Sequence, residues 1–487
     1  MRTRGRCVKK GETRLPGILP CLVLTALLLF SVRPYLAREF WFDEALTLMN
    51  FAWLPDPLAV YRSYVIPNNH ILYTIFLHLW TRLPDPGLRQ DFFMRLPSLL
   101  FAVALLWLLY ARFRRISGRL PLFLALAALA VSPPFLIYAS AVRGYMAGCF
   151  FVSLAVCCAC SFAGSGCWKN FWGYFAACIC AVGTVPSNLL ALCGCVLFAL
   201  PFAGRGFPPW KRLLPLAAAP FAGLVLFYLP ILHSFMAVCR IGEGWSDGTG
   251  ALKAYAAAAA VSVGIPGVLF IFSCFLRGAK YPWRTIMYAA IFLLPLPAVF
   301  ILAPAPFPRV FVPLFPLLAL AAARGVRDCA AFCRLKRGGR RRIFYAFLFF
   351  CVIAGGILPR EKSCRDFLSN VCGNASGDDF FYGYYMRGEH RPSLTAAHLK
   401  TMYAQGTLPP VYLSFASDPW PTMYYLLERG LQTRFLFDGP RGRIKELASG
   451  MLVVIGSGED PAAVEKRFSV RLVPLFANVR HRVYAVE

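Results

Sequence analysis

The sequence predicts an α-helical polytopic membrane protein with about eleven transmembrane helices and a small C-terminal α/β domain. Three observations carry that reading. The 487-residue chain is 58% hydrophobic, and its mean hydropathy of +0.58 is too high for a soluble protein. Apolar runs of about 20 residues, the length that crosses a bilayer, alternate with short clusters of Lys and Arg. Residues 359–487 break that pattern, being polar with short β-like runs between glycine turns.

The spans are expected at 16–36, 92–111, 120–138, 144–163, 170–185, 188–203, 213–232, 252–276, 285–302, 310–323 and 343–358. Arg2, Arg4, Arg6, Lys9, Lys10 and Arg14 precede the first run, which has no small-residue cleavage site after it and so reads as an uncleaved signal anchor. The positive-inside bias keeps this end in the cytoplasm and puts the loop 37–91 outside. Within that loop 71–81 is apolar but too short to span, so it is expected along the interface. With this count Arg112–Arg119, Arg205–Arg212, Arg277–Arg284 and Arg324–Arg342 all fall on the cytoplasmic side. The chain then divides into a membrane domain, 1–358, and an extracytoplasmic domain, 359–487. The expected localisation is the inner (plasma) membrane.

The second domain should hold strands at Val411–Phe415, Arg434–Phe437, Met451–Ile455 and Arg482–Val486, with a helix over Thr422–Arg429. Most of the 18 cysteines lie in apolar runs and behave as small apolar residues. Cys364 and Cys372 fall in the outer polar segment, where a disulfide is permitted. Asn374-Ala-Ser376 fits a glycosylation sequon. The formal charge of +28 comes from the topological clusters, so no nucleic-acid partner is expected.

The chemistry gathers on the outer side. Glu39, Asp43 and Glu44 follow the first span, and carboxylates beside hydrocarbon need a partner or a task. Glu39 reads as a helix-end charge. Asp43 and Glu44 are candidate catalytic carboxylates, able to act as general base or to ligate a metal. His70, Arg143, Arg240 and Arg309 fall on the same side, and arginines there suit a phosphate. A base with phosphate clamps at a bilayer fits displacement at a lipid phosphate, with the leaving charge stabilised by the arginines.

The motifs resemble those of GT-C membrane glycosyltransferases, in particular bacterial relatives of protein O-mannosyltransferases and lipid A aminoarabinose transferases. Trp41-Phe-Asp-Glu-Ala45 follows the first span, and Asn69-His-Ile-Leu-Tyr73 is similar to the family's Asn-His-Pro-Pro-Leu-Tyr. Arg95-Leu-Pro-Ser98, Ser132-Pro-Pro, Tyr138-Ala-Ser-Ala-Val-Arg-Gly-Tyr145 and Pro308-Arg-Val-Phe-Val-Pro313 follow in the family's order. The resemblance implies a GT-C fold and an inverting transfer from a polyprenyl-phosphate sugar. The acceptor would be an envelope glycolipid, polysaccharide or protein, with Asp43 as base and Glu44 beside it. His70, Arg143, Arg309, Tyr138 and Asn69 would bind substrate. The resemblance establishes no cofactor, and a divalent metal on Asp43 and Glu44 stays open. One departure weakens the metal: the family's second acid, in the turn before the arginine, is here Ala141. A non-catalytic relative and a lipid or sugar transporter are the alternatives.

Overall fold

The computed structural model describes residues 17–487 apart from 67–68, 85–88, 203–209, 240–247, 278–288, 302–307, 333–338, 358–390, 405, 438–443 and 480. The expectations for Arg240, Cys364, Cys372 and the Asn374 sequon lie outside the described residues.

The membrane half is a helical bundle. Helix α1 is Ile18–Leu36, and the segment that follows contains α2 (Phe42–Thr47), α3 (Pro57–Ser63) and α4 (Ile71–Trp80). Next come α5 (Gln90–Ser117), α6 (Arg119–Val131), α7 (Pro133–Ala139), α8 (Tyr145–Ser165), α9 (Trp168–Thr184) and α10 (Asn188–Ala199). The described bundle is completed by α11 (Trp210–Tyr228), α12 (Leu232–Cys239), α13 (Gly248–Arg277), α14 (Pro295–Ile301), α15 (Phe315–Phe332) and α16 (Gly339–Ile357).

The described residues do not confirm the expected count of eleven spans. Among the described residues six helical stretches are long and apolar enough to cross a membrane: Ile18–Leu36, Gln90–Ser117, Tyr145–Ser165, Lys211–Ala237, Thr249–Cys274 and Arg309–Phe332. A seventh arises if Arg119–Val131 and Pro133–Ala139 are taken as one path bent by 68°. The bend has a local cause: Ser132 precedes Pro133-Pro134, and its extended backbone (ψ 134) ends α6 before the prolines open α7. Asn188–Phe202 and Arg342–Ala354 are apolar but short, and α9 has 17 residues, about 25 Å at 1.5 Å per residue. The segment expected at 285–302 is described only in part. Helix α4, with 10 residues, is as short as its apolar run suggested.

Between α5 and α6 the chain reverses at Gly118, whose φ of 91° is strained for any residue with a Cβ. Because of that reversal, Arg95 at the start of α5 and the turn after α7 lie at the same end of the bundle. The end of α1 and the Asp43 segment meet them there.

The C-terminal part is a five-stranded mixed sheet with helices α17 (Pro392–Met402), α18 (Pro419–Glu428) and α19 (Pro461–Phe468). The strands are β1 (Val411–Leu413), β2 (Phe435–Phe437), β3 (Leu452–Gly456), β4 (Leu472–Ala477) and β5 (His481–Val486), in the order β2-β1-β3-β5-β4. Strands β2, β1 and β3 run parallel, and β5 is antiparallel to both β3 and β4. Four strands match expectation; β4 does not, because Pro474 interrupts an apolar run that faces partly outward.

This part packs onto the Asp43 segment. The Phe40 N–H donates to Tyr425 Oη at 2.9 Å, and the Phe40 ring meets Tyr424 edge to face at 4.9 Å. Glu39 accepts from the Ser393 N–H at 2.8 Å and from the Ser393 hydroxyl at 2.6 Å, at the N-terminus of α17. Glu39 is therefore a helix-end charge, as expected, but for a helix 354 residues away in sequence.

Candidate active site

Helix α2 begins where the chain leaves α1, and Glu44 is its third residue. The Glu44 side chain reaches back to the Trp41 N–H at 3.2 Å, which closes a capping arrangement and fixes the direction of the helix. From α5, Arg95 donates Nη2 to Glu44 Oε2 at 2.8 Å and Nε to Oε1 at 3.2 Å. The Val142 N–H adds a fourth donor, to Oε1, at 2.8 Å. A carboxylate accepts about four hydrogen bonds, so Glu44 is saturated. Arg95 also donates to the carbonyls of Leu36, Arg38 and Glu39. Neither side chain of the pair is exposed.

This network sets the neighbour of Glu44. Asp43 is 16% exposed, and its Oδ2 lies 3.2 Å from Arg309 Nη2 and 3.6 Å from Arg143 Nη2. Arg143 is buried, and its Nη1 donates to Thr47 Oγ1 and Tyr64 Oη, both at 3.0 Å. Thr47 in turn donates to the Asp43 carbonyl at 2.7 Å. The Tyr64 ring is stacked on Phe51 with centroids 3.9 Å apart. Arg309 enters from the 3-10 turn Pro308–Leu314 before α15, with its guanidinium 5.9 Å from the Trp41 ring centre. Two guanidiniums thus flank one partly exposed carboxylate, and the cluster carries one net positive charge.

The turn that bears Arg143 is held from α5 as well. Ser98 Oγ donates to the Ala141 carbonyl at 2.5 Å and pairs with Tyr73 Oη at 2.8 Å. At Gly144 a Cβ would lie 2.9 Å from His70 Nδ1 and 3.0 Å from Tyr73 Cβ, so the close approach of turn and loop needs glycine. His70 is fully buried, with the Thr184 backbone beside its ring. Burial, then the charges of Arg143 and Arg309, hold the His70 imidazole well below its ordinary value of 6.5, so it is neutral.

The structure brings Asp43, Arg143 and Arg309 into contact, with His70 close to both arginines. Tyr138 stands one ring further back, edge to face with Tyr145 at 4.7 Å, and Tyr145 meets His70 at the same distance. Asn69 is taken up in holding the loop: its Oδ1 accepts from Tyr228 Oη at 2.8 Å and its Nδ2 donates to the Ile66 carbonyl at 3.0 Å. The site residues that sequence reasoning passed over are Tyr64 and Thr47; Arg95 and Ser98, quoted there only as the ends of a motif, take a structural role. Arg95 carried a signal, a charge four residues inside an expected span. Tyr64 and Thr47 carried none.

The donor set does not suit the divalent metal left open on Asp43 and Glu44. Asp43 faces two cations and Glu44 is saturated. Among the described residues no three His, Cys, Asp or Glu side chains come together.

Set against solved structures, the fold has a counterpart. The chain aligns over 97% of its length with 98% of apo ArnT from Cupriavidus metallidurans, with a TM-score of 0.59 and 14% identity. It aligns over 96% with 97% of ArnT bound to undecaprenyl phosphate, with a TM-score of 0.57 and 13% identity. The chain has the ArnT fold, a GT-C fold. The likeness to ArnT runs through both the helical bundle and the C-terminal sheet, as the two coverages require. No protein-family model matches the sequence, and no curated protein matches it. At 13–14% identity the resemblance to ArnT is one of architecture.

Proposed function

We propose that the protein is an integral-membrane glycosyltransferase that takes a sugar from a polyprenyl phosphate and passes it to an envelope glycolipid, polysaccharide or protein. One observation carries the reading: the Asp43 carboxylate sits between two buried arginines. The ArnT fold, seen with undecaprenyl phosphate in one of the two similar structures, supports it. Asp43 acts as general base, Arg143 and Arg309 grip the phosphate, and neutral His70 offers a further N–H donor. Glu44, saturated by its four donors, anchors Asp43 rather than moving a proton.

The charges balance through the reaction. A sugar-linked polyprenyl phosphate brings one negative charge to the two arginines and the Asp43 carboxylate. The acceptor oxygen bonds to the anomeric carbon and passes its proton to Asp43. The bond from the anomeric carbon to the phosphate oxygen breaks, and its electron pair stays on the phosphate. Asp43 loses its charge in the step in which the phosphate gains one, so the arginines remain matched. Attack opposite the leaving phosphate inverts the anomeric centre. On this reading the protein lies in the inner (plasma) membrane with its N-terminus cytoplasmic and its C-terminal sheet outside.

The deciding experiment measures sugar transfer from a polyprenyl-phosphate donor by the wild type and by Asp43→Asn. Loss of transfer with retention of undecaprenyl phosphate supports the reading; equal transfer by the variant refutes Asp43 as base. A second reading, a non-catalytic relative, has the buried methyl of Ala141 in its favour, since that turn supplies no second acid. It requires that the wild type bind undecaprenyl phosphate and transfer no sugar.

A further inference from the structure

The end of the bundle away from Asp43 contains a cavity of about 90 Å³ between α5, α10 with the turn that continues it, and α15. Phe113, Ser117, Phe198, Phe202 and Leu320 line it, and Arg324 forms part of its wall. The rings of Phe113 and Phe198 meet edge to face at 5.9 Å, and Phe198 stacks on Phe202 at 6.3 Å. Leu320 and Arg324 are one turn apart on α15, so apolar lining and charge share one helix face.

Position along the bundle separates this cavity from the Asp43 cluster. Along α5 the 22 steps from Arg95 to Ser117 cover about 33 Å at 1.5 Å per residue, close to the thickness of a hydrocarbon core. The cavity therefore lies at the opposite membrane surface. Arg112, Arg114, Arg115 and Arg119 surround the junction of α5 and α6 there. Arg327, on α15, donates to the carbonyl of Ile116, a residue that also lines the cavity. Asp328 is the acid that α15 adds to this surface.

We propose that this cavity holds an anionic phospholipid, with part of an acyl chain against Phe113, Phe198 and Leu320 and the phosphodiester on Arg324. A guanidinium offers planar N–H donors to phosphate oxygens, and basic pockets between membrane helices at this depth retain anionic headgroups. The aromatic lining selects a lipid over a soluble anion, which gains nothing from apolar walls. The site is independent of the reaction assigned to Asp43.

The test is lipid retention by purified protein, read by native mass spectrometry after exchange into equal mixtures of phosphatidylglycerol and phosphatidylcholine. Wild type is expected to keep phosphatidylglycerol selectively. Arg324→Gln should reduce that retention about fivefold, the effect of one basic contact, whereas Arg324→Lys and the exposed-site control Arg115→Gln should keep most of it. Leu320→Phe, which narrows the cavity and leaves every charge, should also reduce retention and serves if Arg324→Gln does not fold. Equal retention of the two lipids, an equal loss with Arg115→Gln, or displacement of the lipid by inorganic phosphate would each overturn the proposal.

Discussion

Arg95 and Glu44 meet side by side, Nη2 to Oε2 at 2.8 Å and Nε to Oε1 at 3.2 Å, with neither side chain exposed. A pair so placed is sensitive to losing one member, because the partner keeps its charge without compensation. Glu44→Ala and Arg95→Ala are each expected to destabilise the protein by about 3–5 kcal/mol. Thermal unfolding in detergent checks this, and the double variant should cost less than the sum of the two.

The assignment of Asp43 makes a separate demand. General-base catalysis contributes roughly 10²–10⁴-fold, so Asp43→Asn should lower kcat by that factor. Glu44→Gln keeps the shape of the anchor, and its activity loss should track its loss of stability. Steady-state kinetics beside melting temperatures separates the two residues.

Arg143 divides its guanidinium between the Thr47 and Tyr64 hydroxyls through one nitrogen and Asp43 through the other. A lysine has no such fork. Arg143→Lys and Arg309→Lys should each weaken binding of undecaprenyl phosphate by roughly ten- to a hundredfold, the loss of one hydrogen bond to a charged group. Equilibrium binding in nanodiscs measures it; unchanged affinity in both variants would remove the arginines from the phosphate site.

His70 predicts a pH dependence. Its folded value is depressed below 6.5 by burial and by the two arginines. Above pH 6.5 the imidazole is neutral in the folded and unfolded chains alike, and its contribution to stability is fully present. As the pH falls below 6.5 the unfolded chain takes up a proton that the buried ring refuses, so stability drops until the folded value is reached. His70→Asn should flatten the fall in melting temperature between about pH 6.5 and 5.

Most of the architecture was legible because it rests on composition and period. The spans follow from apolar length, and β1, β2, β3 and β5 follow from short apolar runs between turns. The helix count was less legible. A run such as 188–203 reads like a span by hydropathy, yet it folds as a helix of 12 residues with a short 3-10 extension. The site was half legible. Asp43, Arg143 and Arg309 stand out as charges at span ends, and their meeting at one oxygen is a matter of tertiary packing. Thr47 and Tyr64 are ordinary in sequence and gain a role only where Arg143 arrives. Glu44 stood in sequence as a second candidate carboxylate beside Asp43; what separates them is the direction each carboxylate takes from α2.

The contacts of Glu39 with Ser393, and of Phe40 with Tyr425, span 354 and 385 residues of sequence. Their consequence is one of timing. At a synthesis rate of about 5–20 residues per second, the segment beside Asp43 waits roughly 20–70 s for the residues that fasten it. Loop closure over such a distance is also slow relative to helix formation. A nascent chain thus passes through a stage in which the helices exist and the Asp43 segment is still loose, and that segment is fastened only after the C-terminal residues emerge. Chains arrested before residue 391 should leave the Arg38–Trp41 segment open to protease, and full-length chains should protect it.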